Sequence, residues 1–396
     1  MGIVLSYKGE RDTIKALAPD AQTGLEFWIS NKMRELRDRA EGVKRTLGVL
    51  AGHDEVRLSD TTLIPRQLGT PSLQGILAQY FPTYRFVDVD LKSDVDPTLD
   101  GVLLLQPGKD LLPDELRRLD AFVLRGKALA VVASAVNLKA GDASSLATLS
   151  THGLGALLAG YGIEMHEDVV VDFGAHFSTQ VFTQAGPQTV RFPSVPLLGA
   201  AQGDRDETRS TTLDTSFPSF FRIPEVAFPF ASSLDVHRER QPAAKLRVLA
   251  TSSARSEVRK GPVVPLPFLQ RWAPQGSALG PRIVAASAEG RLRSAFGSAS
   301  GSAPSRVLVV ASSQFFANPF ARAGEAVDHP GYLLPPAGDE TLEMLAAAYA
   351  QATVTNQILV AKNTLDWMIG EEELLASAAK LLPSAACKNA KPARQP

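Results

Sequence analysis

Residues 101–133 read GVLLLQPGKDLLPDELRRLDAFVLRGKALAVVA, and this stretch decides the fold. Gly101-Val102-Leu103-Leu104-Leu105 and Ala128-Leu129-Ala130-Val131-Val132-Ala133 are continuous apolar runs. A strand buried on both faces reads this way, because neither side of its pleat meets water. Between them, Pro113 to Arg125 carries the marks of a helix: Pro at its start, Asp114 and Glu115 in the first turn, Gly126 just past the end. Strand, helix and strand in this order predict a sheet covered by helices.

The same rhythm continues outward. Thr46 to Ala51 and Tyr84 to Leu91 read as strands, and Pro71 to Tyr80 and Leu154 to Tyr161 as helices, the last closing at Gly162. The pattern predicts an α/β fold, an open and mostly parallel sheet with helices on both faces. Later strands are expected at Leu246–Ala250, Arg282–Ala286 and Arg306–Val310, and a long helix over Leu342–Ile369. Residues 1–44 read as the remnant of an N-terminal lobe, a strand, a charged turn and an amphipathic helix over Thr23–Arg39. The sheet domain is expected over 45–168 and again over 246–375, interrupted by a β-rich, Pro- and Phe-containing insertion over 169–245. Residues 376–396 are polar, rich in Ala, Lys and Pro, and are expected to be a disordered tail.

Composition removes several function classes. Hydrophobic residues are 44% and charged residues 21%, the balance of a globular protein. A formal net charge of −1 gives no global field to hold nucleic acid. The single cysteine, Cys387, excludes an internal disulfide and a multi-cysteine zinc site. The opening MGIVLSYKGERDT lacks the basic start and apolar centre of a signal peptide, and no apolar run reaches the ~18–20 residues of a membrane span. The chain itself therefore reads as soluble.

Neither a P-loop nor an H-E-x-x-H motif is present, and Gly297–Ser302 does not fit G-x-S-x-G because Ala299 takes the nucleophile's place. His152-Gly153-Leu154-Gly155 lacks the third glycine of a dinucleotide loop and reads as a helix start. No cofactor is implied. His166, Glu167, Asp168, Asp172 and His176 form a candidate cation cluster, with a strand having polar ends as the plainer reading and no metal assigned. His53 and Glu55 follow one predicted strand, Ser134 and Asn137 a second, and Ser312, Ser313 and Gln314 a third. Ligands of open α/β sheets bind at this carboxyl edge, so His53, Glu55, Ser134, Asn137, Ser312 and Gln314 are the candidate ligand or partner crevice. Phe217, Phe220 and Phe221 are a candidate exposed docking patch. Two alternatives stay open: a soluble carbohydrate-binding module using His53, Asn137 and Gln314, and a hydrolase pairing Ser134 or Ser312 with His53.

Four blocks, in order, resemble the auxiliary component of gliding-motility-type ABC transport systems, the GldG-like family. They are Leu47–Glu55; Asp100–Leu105 with Leu112–Gly126; Leu154–Ile163 running into Glu167–Asp172; and Arg306–Phe316 with Asn363–Glu371. The resemblance spans most of residues 45–375. It implies a Rossmann-like domain similar to the GIFT domain of intraflagellar transport proteins, and a non-catalytic role. It also implies an ABC permease and its ATPase subunit as partners, on the periplasmic face of the inner membrane. Members of the family usually carry flanking transmembrane helices, so attachment is expected through such helices or through the partner. The family brings no catalytic residues to this sequence.

Overall fold

The computed structural model describes residues 3–14, 25–59, 72–138, 146–183, 186–199, 210–221, 223–263, 272–276, 278–320 and 340–370. The expected tail over 376–396 and Cys387 lie outside them.

The chain divides into two units, one of residues 1–43 with 370–396 and one of residues 44–369. In the first, β1 (Ile3–Tyr7) and β2 (Glu10–Ile14) form a hairpin turned at Lys8 and Gly9, followed by α1 (Leu25–Glu41). Glu41 at the end of α1 accepts from Tyr7 Oη at 2.8 Å and from Lys8 Nζ at 3.0 Å, which fixes the hairpin to the helix.

The second unit begins with β3 (Arg45–Leu50), α2 (Leu73–Tyr80), β4 (Tyr84–Val89), β5 (Gly101–Leu105), α3 (Pro113–Leu124) and β6 (Ala128–Val132). Next come β7 (Val136–Asn137), β8 (Thr148–Leu149), α4 (Leu154–Gly160), β9 (Ile163–Met165), β10 (Val169–Asp172), β11 (His176–Thr183) and β12 (Gly186–Gly199). The remainder is β13 (Thr212–Leu213), β14 (Glu225–Ala227), β15 (Leu234–Val236), β16 (Ala244–Thr251), β17 (Ser256–Arg259), β18 (Ile283–Gly290), β19 (Ser305–Val310) and α5 (Glu340–Met368).

The main sheet runs β13-β16-β18-β19-β6-β5-β3-β4. From β19 to β4 every pairing is parallel, with Val310 opposite Val132 and Leu103 opposite both Ala130 and Val49. From β19 outward the pairings of β18, β16 and β13 are antiparallel. The sheet is therefore mixed, and the expectation of a mostly parallel one holds for a single half. Among the described residues no helix links β16, β18 and β19, and antiparallel neighbours need none.

Alternation along the parallel strands explains both cores. Leu103, Leu105, Ala130, Val132, Leu308 and Val310 face one way, against α2 and the end of α5. Val102, Leu104, Leu129, Val131, Val307 and Val309 face the other, against α3 and α4. A period of two with both faces covered leaves no polar position, which is why these strands are unbroken apolar runs. Glycine at 126 ends α3 because the chain there takes φ +86°, a region that side-chain-bearing residues rarely adopt. Asp120 on α3 accepts from Tyr161 Oη at 2.7 Å, and burial together with that carboxylate holds the phenol well above its ordinary range.

Six phenylalanines of the 169–245 region, Phe177, Phe192, Phe217, Phe220, Phe228 and Phe230, are buried. Phe177 and Phe192, on β11 and β12, pack with Phe320 and with Tyr349 of α5, ring centroids 4.7–6.0 Å apart. Phe217 and Phe220 are 0% exposed and Phe221 is half-buried. The expected docking patch at these three positions is therefore not formed. Phe217 lies 5.6 Å from the Trp367 ring, and Phe220 lies 6.3 Å from Phe228. Burying a ring of this size gains more than exposing it, and here the Phe217 and Phe220 rings join Leu198, Leu213, Ile223, Val226 and Phe228 in one core.

Candidate functional site

The parallel strands β3, β5, β6 and β19 end at one edge, and the loops leaving them carry the expected crevice residues. After β3 the chain turns through Gly52 at φ +114° and Asp54 at φ +55°. This turn folds His53 and Glu55 inward, each 8% exposed. The His53 ring lies between two carboxylates: Nδ1 is 3.2 Å from Glu55 Oε1, and Nε2 is 3.0 Å from Glu115 Oε2. Glu55 Oε2 also accepts from the His53 main-chain N–H at 2.9 Å. Glu115 Oε2 accepts from Leu112 N–H at 2.7 Å, so one carboxylate both caps α3 and anchors the loop after β3.

A second network lies on the loops after β5 and β6. Gln106 receives the Ser134 N–H on Oε1 at 2.8 Å and donates from Nε2 to Asn137 Oδ1 at 2.7 Å. Asn137 Nδ2 donates to the carbonyls of Ala135 and Ser150, both at 2.9 Å. That orientation leaves Oδ1 as acceptor for His152 Nε2 at 3.0 Å, while His152 Nδ1 meets Asp110 Oδ1 at 2.7 Å. Asp110 is 77% exposed, so this relay runs from the interior to the surface. The two networks share a backbone: Gly108 N–H donates to His53 O at 2.8 Å, and Leu111 N–H to His152 O at 3.0 Å.

The structure thus joins His53 to Glu55 and Ser134 to Asn137, but not all six expected residues into one crevice. Ser134 Oγ donates to Phe230 O at 2.8 Å and Ser312 Oγ to Pro229 O at 2.6 Å, so both hydroxyls are committed to main-chain carbonyls. Gln314 is buried, and its Oε1 has no hydrogen-bond partner among the described residues. Glu115, Gln106, Asp110 and His152 belong to the site and were not singled out as site residues from the sequence. The sequence signal at Glu115 is that of a first-turn acid, and the helix-start position that makes it a cap also aims it at the loop after β3.

The candidate cation cluster is dispersed into separate structural bonds. Asp172 accepts from Ser253 N–H and Oγ and from the N–H groups of Gly174 and Ala175, all at 2.5–2.9 Å. His176 Nδ1 lies 2.9 Å from Asp172 O. Both Asp168 oxygens accept from Ser233, and His166 pairs with Asp235. Among the described residues no three His, Cys, Asp or Glu side chains are grouped to hold a metal ion.

Replacing His53 by Ala is expected to cost about 1–3 kcal/mol, since it leaves two buried carboxylates facing each other without a donor between them. Urea unfolding of H53A and of H53A/E115Q tests this. The second change should return part of the loss.

No helix among the described residues is long and apolar enough to cross a membrane. No curated protein matches the chain. Solved structures similar to it include the mmIFT52 N-terminal domain, at 12% identity and a TM-score of 0.37 over 69% of this chain and 88% of that one. The exo-β-1,4-mannosidase Op5Man5 from Opitutaceae bacterium strain TAV5 is 12% identical with a TM-score of 0.28, over 83% of this chain and 38% of that one. Cytoplasmic protein STM1381 from Salmonella typhimurium LT2 is 10% identical with a TM-score of 0.30, over 79% of this chain and 99% of that one. The family of ABC-type uncharacterized transport systems, an auxiliary transport family, matches residues 44–333, and with most of the chain inside that match the protein belongs to this family.

Proposed function

We propose that the protein is a non-catalytic subunit of an ABC-type transport system of the gliding-motility type. It holds a ligand or a partner beside the transporter and does not transform it. The observation that carries this reading is the committed state of the two candidate serine hydroxyls at the carboxyl edge. Ser134 and Ser312 both donate to carbonyls, and His53 is held by two carboxylates. An acyl-transfer nucleophile needs a base in hydrogen-bond contact, and neither serine has one.

The resemblance of Leu47–Glu55 and Leu112–Gly126 to the GldG-like family supports the narrower reading. In it, 45–168 and 246–375 form a GIFT-type, Rossmann-like domain interrupted by 169–245, and the protein works at the periplasmic face of the inner membrane. An ABC permease and its ATPase are the partners, and the edge bearing His53, Glu55 and Asn137 is the contact face. Affinity capture from detergent-solubilised membranes, with bound chains identified by mass spectrometry, tests this. Co-recovery of a permease and its ATPase is expected. Recovery of the protein alone, from the soluble fraction, would overturn the reading.

A further inference from the structure

A cleft of about 320 Å³ opens where residues 166–168, the start of β15, the end of β17 and the start of β18 meet. It shares no residue with the carboxyl-edge networks. Its volume is at the lower end of the ~300–1,000 Å³ typical of small-molecule sites. Val258 and Ile283 contribute apolar surface, and the polar lining is His166, Asp168, Ser233, Asp235, Lys260 and Arg282.

The two signs of charge are treated differently there. Asp168 is 2% exposed, and its two oxygens accept from Ser233 N–H at 2.8 Å and Ser233 Oγ at 2.6 Å. Asp235 Oδ2 is 2.9 Å from His166 Nε2. The acids are therefore occupied. Neither cation has a carboxylate partner among the described residues. Lys260 is exposed and, among the described residues, makes no ion pair, while the Arg282 side chain donates there only from Nη2, to Ala278 O at 3.0 Å. Arg282 Nε is buried without an acceptor. The ammonium of Lys260 and the remaining guanidinium N–H groups of Arg282 are left as charge-assisted donors for an oxyanion bound in the cleft.

We propose that this cleft binds a small hydroxylated anion, a sugar acid or sugar phosphate. The oxyanion sits on Lys260 and Arg282, and the ligand hydroxyls meet the exposed His166–Asp235 pair. This assignment does not depend on the transport reading, and its test involves no transporter.

Isothermal titration of the full chain with glucuronate, glucose 6-phosphate and glucose tests it. Binding of at least one anion is expected with a Kd of about 1 mM or tighter, with no binding of glucose. Response to glucuronate alone, to glucose 6-phosphate alone or to both identifies the anion as carboxylate, phosphate or either. Lys260→Ala and Arg282→Ala should each weaken binding about tenfold or more. Lys260 is exposed, so K260A is not expected to disturb folding. Lys245→Ala removes an exposed lysine of β16 outside the cleft and should bind as the native chain does. Absence of binding by both anions, equal binding of glucose, or native affinity in K260A would overturn the proposal.

Discussion

Lys362→Met is expected to lower stability by about 3–5 kcal/mol, read as a fall in the urea midpoint. Lys362 and Asp366 lie one turn apart on α5, each 1% exposed, with Nζ 2.5 Å from Asp366 Oδ2. Tyr84 Oη also donates to Asp366, and the ammonium lies 5.7 Å from the Phe81 ring. Methionine keeps most of the stem's packing and removes the charge, so the loss isolates a carboxylate left in the interior without its cation. The double variant Lys362→Met with Asp366→Leu should recover much of that loss, because two apolar groups no longer carry a desolvated charge. A single-variant loss below about 1 kcal/mol would mean that the pair is hydrated, as exposed ion pairs are.

The second large effect is expected at Phe217. Truncation to Ala removes a ring with 0% exposure, packed against Trp367 and lying 5.5 Å from the Arg247 guanidinium. A loss of about 3–5 kcal/mol follows for a buried Phe that leaves a cavity. Met344, 47% exposed on α5, is the comparison: M344A should change stability by no more than about 0.5 kcal/mol. If F217A were as stable as M344A, the ring would be a surface group, and a docking role for it would return.

β5 and β6 could be recognised in the sequence because burial on both faces leaves only apolar residues, and α3 because Pro113, Glu115 and Gly126 mark its ends chemically. Strand direction left no such mark. Ile283–Gly290 is antiparallel to both neighbours yet buried along most of its length, and a strand covered on both faces looks alike in either direction. The missing signal was a missing helix, since nothing helical separates Leu246 from Arg306 among the described residues.

The phenylalanines misled for a related reason: an apolar ring in an irregular segment reads the same whether it closes a core or faces a partner. At the carboxyl edge, His53 and Glu55 were legible because they follow a strand. Glu115 reaches His53 from 62 positions further along the chain, a contact that no local spacing encodes.

The position of β19 in the sheet also governs how the protein is made. β19 pairs with β6 through Arg306 and Ala128, so the neighbour that completes β6 is synthesised long after it. Until residue 305 has emerged, the β3–β6 block presents an apolar five-residue strand with one unpaired edge, a template for the wrong partner. A ribosome-bound chain halted before β19 should therefore be held by chaperones or aggregate. Release from that state should coincide with the arrival of Ser305–Val310, whatever the progress of the residues between.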